Sequence, residues 1–340
     1  MRFSGVTWIM LACACAAAEF APQPPSALLG GEELAVCYSG FRHGQHPDRG
    51  DGARNPTPPQ ILEDLRILAE PCGFRLLRLY DGRENSRTVL ELIRRENLPL
   101  KVMLGAWLDA EVDTHGSCPW VTAPLPQEKL AANRVANEQE VDRVIALARE
   151  FPDIVAAVNI GNETLVDWND HRLSVDRLVA LLKRAAAALD QPVTTADNYA
   201  AWVHHGKQLA HAVDFAGVHT YPVWEKKTLA EAMDFTRENL VAVQRALPGI
   251  PLVITEAGWA TTASEFAAEA GEVNQAAYFR DLLDWAGANR VTVFWFEAFD
   301  EDWKGAPNQP DGAEKHWGLY DIDRIPKQAA RSMLPRRTTP

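Results

Sequence analysis

The sequence predicts one α/β domain, a (β/α)8 TIM barrel, and three observations carry that expectation. Apolar strand-like runs alternate with amphipathic helical stretches from residue 34 onward. The runs are apolar on both sides, as strands are when helices cover both faces of a parallel sheet. Eight strand–helix units in roughly 300 residues suit such a barrel, which typically needs about 250. A doubly wound open sheet would call for a glycine-rich phosphate loop after the first strand, and none is there.

The first strand is LAVCYSG (34–40), followed by TPPQILEDLRILAEPCG, a helix pattern with prolines at its start and a glycine past its end. FRLLRLYD (74–81) is the second, leading into NSRTVLELIRRENL, where Asn85 or Ser86 offers an N-cap. LKVMLGAWL (100–108) precedes the long PQEKLAANRVANEQEVDRVIALAREF. IVAAVNIGNE (154–163) precedes SVDRLVALLKRAAAALD, capped by Ser174. PVTTADNY (192–199) leads to a helical stretch carrying His204, His205 and His211. DFAGVHTYP (214–222) is followed by TLAEAMDFTRENLVAVQRAL, and PLVITEAGW (251–259) by GEVNQAAYFRDLLDWAGANR. VTVFWFEAFD (291–300) closes the set. Apolar positions recur every three and four residues in the helices, so each buries one face.

With 340 residues, 47% of them hydrophobic and 24% charged, the chain can bury a sizeable core. A net charge of -12 argues against nucleic acid or an anionic membrane surface as partner and is compatible with a neutral ligand such as sugar. Eleven tryptophans offer flat rings for pyranose CH faces, although helix–sheet packing is the expectation for more than half of them. The start, MRFSGVTWIMLACACAAAEF, has an early cation, an apolar run too short to span a bilayer, and a small-residue stretch. We therefore expect a cleaved secretory signal over 1–18, an exposed linker over 19–33 and the catalytic domain over 34–335, in a secreted or periplasmic protein with no membrane span. A lipid anchor through Cys13 is disfavoured by Met10. Cys37, Cys72 and Cys118 remain, which allow at most one disulfide and show no metal spacing.

In such a barrel the working residues sit where strands end at the carboxyl face. Tip four carries Asn162 and Glu163, tip seven Glu256, and tip eight Glu297 and Asp300. Alternation places Arg78 and Tyr80 on one face of strand two, and His219 and Tyr221 on one face of strand six. A lone glutamate at a strand end is ordinarily a solvated loop charge, but here several tips are polar over apolar strand bodies. Two carboxylates at opposite tips are what glycoside hydrolysis requires: one protonated, to donate to the departing oxygen, and one ionised, to attack the anomeric carbon. Arg78 and Tyr221 are placed to keep Glu256 ionised. His219 reads as a pocket residue rather than a general base. His204, His205 and His211 lack a carboxylate partner pattern and read as surface or packing residues, not a metal site. No strand tip offers the buried lysine of a Schiff-base aldolase.

VNIGNE, VITEAGW, FEAFDEDWK and EKHWGLYD, with YSGFRHGQHP at strand one, resemble glycoside hydrolase family 17, the β-1,3-glucan enzymes of the clan A barrels. PVTTADNYAAWV, and EAFDEDWK followed by HWGLYD, are closer to its bacterial branch, and the resemblance runs from about residue 34 to 322. It implies Glu163 as acid/base and Glu256 as nucleophile of a retaining double displacement, with Asn162 on the sugar 2-hydroxyl and Tyr221 and Arg78 on the nucleophile. It implies Tyr38, Tyr80, Trp259 and Trp317 as aromatic walls or hydroxyl contacts, and Glu301, Lys304 and Glu314 as a charged cluster supporting the cleft. Glu297 and His219 join these substrate-side residues. The expected partner is a β-glucan, taken up by a monomer with neither cofactor nor metal. Transglycosylation and a non-catalytic glucan-binding barrel are the competing readings.

Overall fold

The computed structural model describes residues 20–23 and 28–334. Its strands are β1 (Ala35–Cys37), β2 (Leu76–Arg78), β3 (Lys101–Ala106), β4 (Val155–Asn162), β5 (Val193–Asn198), β6 (Ala216–His219), β7 (Leu252–Ala257) and β8 (Val293–Trp295). Each lies inside a run read from the sequence, and together they form one closed barrel in chain order. Neighbouring strands are parallel throughout, from β1 beside β2 to β8 back beside β1. The ladders are shorter than the apolar runs because each run continues into the carboxyl-side loop, where the chain stays buried after it leaves its neighbour.

Around the barrel lie α1 (Pro58–Ala69), α2 (Glu84–Arg95), α3 (Gln127–Glu150), α4 (Val175–Ala186), α5 (Tyr199–Leu209), α6 (Leu229–Ala246), α7 (Glu272–Asn289) and α8 (Gln328–Met333). Ser174 caps α4 as expected, accepting from the Arg177 amide at 3.3 Å. The expected cap of α2 does not form. The helix starts after Arg83 with no side-chain cap, and Asp81 instead accepts from the Arg83 amide at 3.0 Å and the Ser86 hydroxyl at 3.1 Å. The short α8 has no readable periodicity and is held instead at its start, by the Glu272 carboxylate on the Gln328 amide (2.7 Å) and by Lys327 on Asp300 (2.7 Å).

Inside, residues such as Leu76, Val102, Val158, Val218, Val253 and Phe294 are fully buried and form one continuous core. Register fixes what lies at the carboxyl rim. Cys37 stands opposite Arg78, Asn162 opposite Ala196, and His219 opposite Glu256. Gly258 allows β7 to approach β8 closely, since a Cβ there would meet the Phe296 carbonyl at 2.1 Å.

The expected linker is exposed only in part where it is described, at Pro22, Glu32 and Glu33. Phe20 is buried, with its ring edge-on to Trp285 at 5.6 Å, and Gln23 accepts from the Thr292 hydroxyl at 2.8 Å. An apolar Phe20 and Leu28 gain more by covering the barrel than by staying in water. The expected signal at 1–18 lies outside the described residues. Cys37, Cys72 and Cys118 are all buried and free. Among the described residues no helix is long and apolar enough to cross a membrane.

Candidate active site

Glu256 lies near the end of β7, almost fully buried. Arg78 Nη1 donates to its Oε1 at 2.5 Å, Tyr80 OH to the same oxygen at 2.9 Å, and Tyr221 OH to Oε2 at 2.7 Å. Burial pushes this carboxyl up, but His219 and Arg78 beside it, with the Tyr221 hydrogen bond, hold it down at about 2. Burial pushes both phenols well above their ordinary range, so Tyr80 and Tyr221 stay protonated donors. The result is an ionised carboxylate held in place from both oxygens. Replacing Arg78 by methionine removes the cation and leaves burial less opposed. We expect the acidic limb of the kcat/KM profile to move up by about one pH unit or more. In the parent, Glu256 is already ionised above pH about 2, so an unmoved limb in Arg78→Met would show that the guanidinium does not set this charge.

Glu163 follows β4 and is half-buried, with φ at +49°. Its backbone turns there two residues after Gly161, whose φ of +81° suits glycine. The Glu163 amide donates to the Ala196 carbonyl at 2.8 Å. His219 Nδ1 meets its Oε1 at 2.9 Å and lies 3.5 Å from Glu256 Oε2. Facing two carboxylates, that nitrogen is placed to carry the ring proton. Asn169 Nδ2 donates to Glu163 Oε2 and to the Glu163 carbonyl, both at 3.1 Å. Arg78 Nη2 donates to the Asn162 amide oxygen at 2.5 Å, which leaves the Asn162 NH2 for another partner.

Polar atoms of Glu163, His219 and Glu256 all lie within 4.8 Å of one another. Retaining glycosidases hold their two carboxyl groups about 5–5.5 Å apart and inverting ones about 6.5–9.5 Å, to fit a water. The nearest oxygens of Glu163 and Glu256, both against His219 Nδ1, fall on the retaining side of those two ranges. The same trio has the donor types of a metal site, but the Arg78 guanidinium at 2.5 Å from Glu256 opposes a second cation. The arrangement suits proton transfer and nucleophilic attack.

Residues 35–318 match the model of the BtgE/BtgC glycoside hydrolase domain. The chain belongs to this family. The resemblance to glycoside hydrolase family 17 drawn from the sequence is thereby borne out. Among relatives, a "Glucan 1,3-beta-glucosidase" of Arthroderma benhamiae is 27% identical over 273 residues, 74% of this chain and 78% of that protein. A "Probable glucan endo-1,3-beta-glucosidase btgC" of Aspergillus flavus is 24% identical over 79% of this chain, which spans only 39% of that longer protein. The solved endo-laminarinase from Formosa Hel1_33_131 superposes with a TM-score of 0.72 at 26% identity, over 91% of this chain and 90% of that one. A family 17 β-1,3-glucanosyltransferase from Rhizomucor miehei shares the fold, with a TM-score of 0.67 at 20% identity, over 88% of this chain and 96% of that one.

In this BtgE/BtgC domain Asn162, Glu163, Arg78, Tyr80, His219, Tyr221 and Glu256 converge on one spot, Trp317 and Glu314 lie beside it, and Tyr38 and Trp259 point away from it. Tyr38 is buried away from it, donating to Asp64 Oδ2 at 3.2 Å, and Asp64 is in turn clamped by Arg42 and Arg324 at 2.7 Å each. It braces the β1 loop instead of lining a sugar subsite. Trp259 is also fully buried, its indole nitrogen donating to the Glu269 carbonyl at 2.8 Å, so it packs the β7–α7 loop. Both stand an odd number of residues from an inward-facing neighbour, Tyr38 beside Cys37 and Trp259 three past Glu256, so alternation turns them out of the barrel. Trp317 is buried too, edge-on to Tyr221 at 5.2 Å, and so backs the phenol that bonds the nucleophile.

Glu297, Lys304 and Glu301 form a buried charged brace: Lys304 Nζ is 2.5 Å from Glu297 and 3.0 Å from Glu301. Glu301 also accepts from the Ser39 hydroxyl (2.8 Å) and the Phe41 amide (2.9 Å), tying the β8 tip to the β1 loop. Glu314 is half-buried nearby, its carboxyl pushed up to about 7 by burial and by Glu163 and Glu256, against the pull of Lys304. Asp300 is structural, bonded to Lys327 and to the Gly318 amide at 2.9 Å. Trp202 packs in the core, while Trp120 and Trp224 are 57% and 41% exposed.

Two residues at the site escape sequence reading, Asn169 and Asp197. Neither sits at a periodic position, and only an acid inside the apolar strand PVTTADNY signals the second. Asn169→Ala frees the Glu163 side chain from its own backbone. We expect kcat on oligosaccharide to fall about tenfold to a hundredfold with KM little changed; a KM effect alone would place Asn169 on the substrate instead.

Proposed function

We propose that this chain is a retaining glycoside hydrolase that cleaves β-1,3-glucan by double displacement. The observation that carries the reading is the short Glu163–Glu256 spacing, with a cation and two phenols on one carboxylate alone. In the first step Glu163 gives its proton to the glycosidic oxygen as the bond to the anomeric carbon breaks, and Glu256 forms a bond to that carbon. In the second, Glu163 takes a proton from water, whose oxygen displaces Glu256. The Asn162 NH2 is placed for the sugar 2-hydroxyl, whose hydrogen bond tightens as positive charge develops. The names of the relatives supply the β-1,3 linkage.

A second reading, transfer to a sugar hydroxyl in place of water, is supported by Trp120 and Trp224, exposed on the carboxyl-side loops after β3 and β6. Exposed indole faces suit an acceptor sugar. A time course by mass spectrometry on a laminari-oligosaccharide of defined length separates the two. Only shorter products are expected from hydrolysis, and products longer than the substrate would replace it with transfer. The protein is further proposed to be exported, a reading supported by the composition of residues 1–18. Amino-terminal sequencing of exported material should begin after residue 18, and an intact start would discard the signal.

A further inference from the structure

The turn that carries Glu163 rests on a carboxylate that no part of the mechanism above uses. Asp197, on β5, is fully buried. Its Oδ2 accepts from the Leu165 amide at 2.9 Å and its Oδ1 from the Asn198 amide at 2.8 Å. Its partners are backbone amides with no cation among them, so burial and the nearby Glu163 charge push its carboxyl well above the usual range, against the pull of the Leu165, Asn198 and Thr164 amides. Burying a carboxylate without a cation is unfavourable, and a neutral side chain can cap a single amide. What a carboxyl group does here that an amide or a hydroxyl cannot is place two acceptor oxygens against two amides on two different strand ends at once.

Those two amides belong to the places that matter. Leu165 lies two residues beyond Glu163, whose positive φ is a conformation a glutamate keeps only when its surroundings impose it. Asn198 ends β5 and caps α5, its side chain accepting from the Ala200 amide at 2.9 Å. One residue earlier, the Ala196 carbonyl accepts the Glu163 amide at 2.8 Å. Consecutive β5 residues thus grip the turn on both sides of the acid/base and tie it to a helix start.

The geometry points to Asp197 as a positioning residue for the acid/base: its bridging carboxylate fixes the backbone turn that aims Glu163 at the departing oxygen. This rests on the reading of Glu163 given above. Asp197→Asn keeps the volume but sets an NH2 group against one of the two backbone N–H groups, so the bridge opens on one side.

The test uses two substrates of the folded full chain. A laminari-oligosaccharide has a poor leaving group and needs the proton from Glu163. A 2,4-dinitrophenyl β-laminaribioside has a leaving group that departs without it. For Asp197→Asn we expect kcat/KM to fall about 10–100-fold on the oligosaccharide and to stay near the parent value on the aryl glycoside. Equal losses on both, or no loss on either, would overturn the inference, because general loosening of the barrel does not distinguish leaving groups. A thermal melt confirms folding, and if Asp197→Asn does not fold, Asp197→Ser, too short to span both amides, carries the same comparison. A parent enzyme that cleaves neither substrate removes the functional reading itself, whereas an active parent with equal losses removes only the role of Asp197.

Discussion

Glu256→Gln should lose turnover on laminari-oligosaccharides by about 10^4-fold or more, as enzymes do when a covalent nucleophile is removed. Glutamine keeps the shape but has no charge to offer the anomeric carbon. It also leaves Arg78, fully buried and aimed at Oε1, facing a neutral amide. The decisive form of the experiment is Glu256→Ala with azide. The emptied space lies on the face from which Glu256 attacks, so azide entering there should give the α-glycosyl azide from an activated β-glycoside. Turnover close to that of the parent in Glu256→Gln would exclude this residue as nucleophile.

Glu163→Ala should show a different pattern. On the natural linkage the loss is about 10²–10⁴-fold, the usual scale for a general acid/base. With a dinitrophenyl glycoside, formation of the glycosyl–enzyme needs no proton. A burst of dinitrophenol should appear, followed by slow turnover, since the base that activates water is also gone. Azide needs no base and should restore turnover with the β-glycosyl azide as product. His219 and Asn169 would lose a shared partner, so a drop on both substrate types alike would instead indicate collapse of the pocket. The opposite anomers from the two alanine variants assign the two roles independently.

The fold was legible because it depends on patterning. All eight strands fall within apolar runs, since a parallel barrel strand is covered on both faces. Glu163 and Glu256 stood out because a charge ending such a run is costly unless it has work to do. Arg78, Tyr80, His219 and Tyr221 followed from alternation at two strand tips. What was not legible depends on loop conformation. Tyr38 and Trp259 have the residue types of a sugar site, yet each points out of the barrel, to Asp64 on α1 and to the Glu269 carbonyl. Asn169 reaches Glu163 only because the chain folds back after β4. The role of Asp197 depends on which amides its two oxygens meet, which no spacing in the sequence records.

The two-glutamate geometry is tested most directly by the configuration of the first sugar released. Proton NMR spectra recorded in the first minutes after enzyme is added to a laminari-oligosaccharide resolve the new anomeric proton before mutarotation scrambles it. Carboxyl groups as close as Glu163 and Glu256 require the β-anomer to appear first, with the α-anomer growing in only at the mutarotation rate. An α-anomer released first would mean direct displacement by water, which would contradict the covalent role of Glu256.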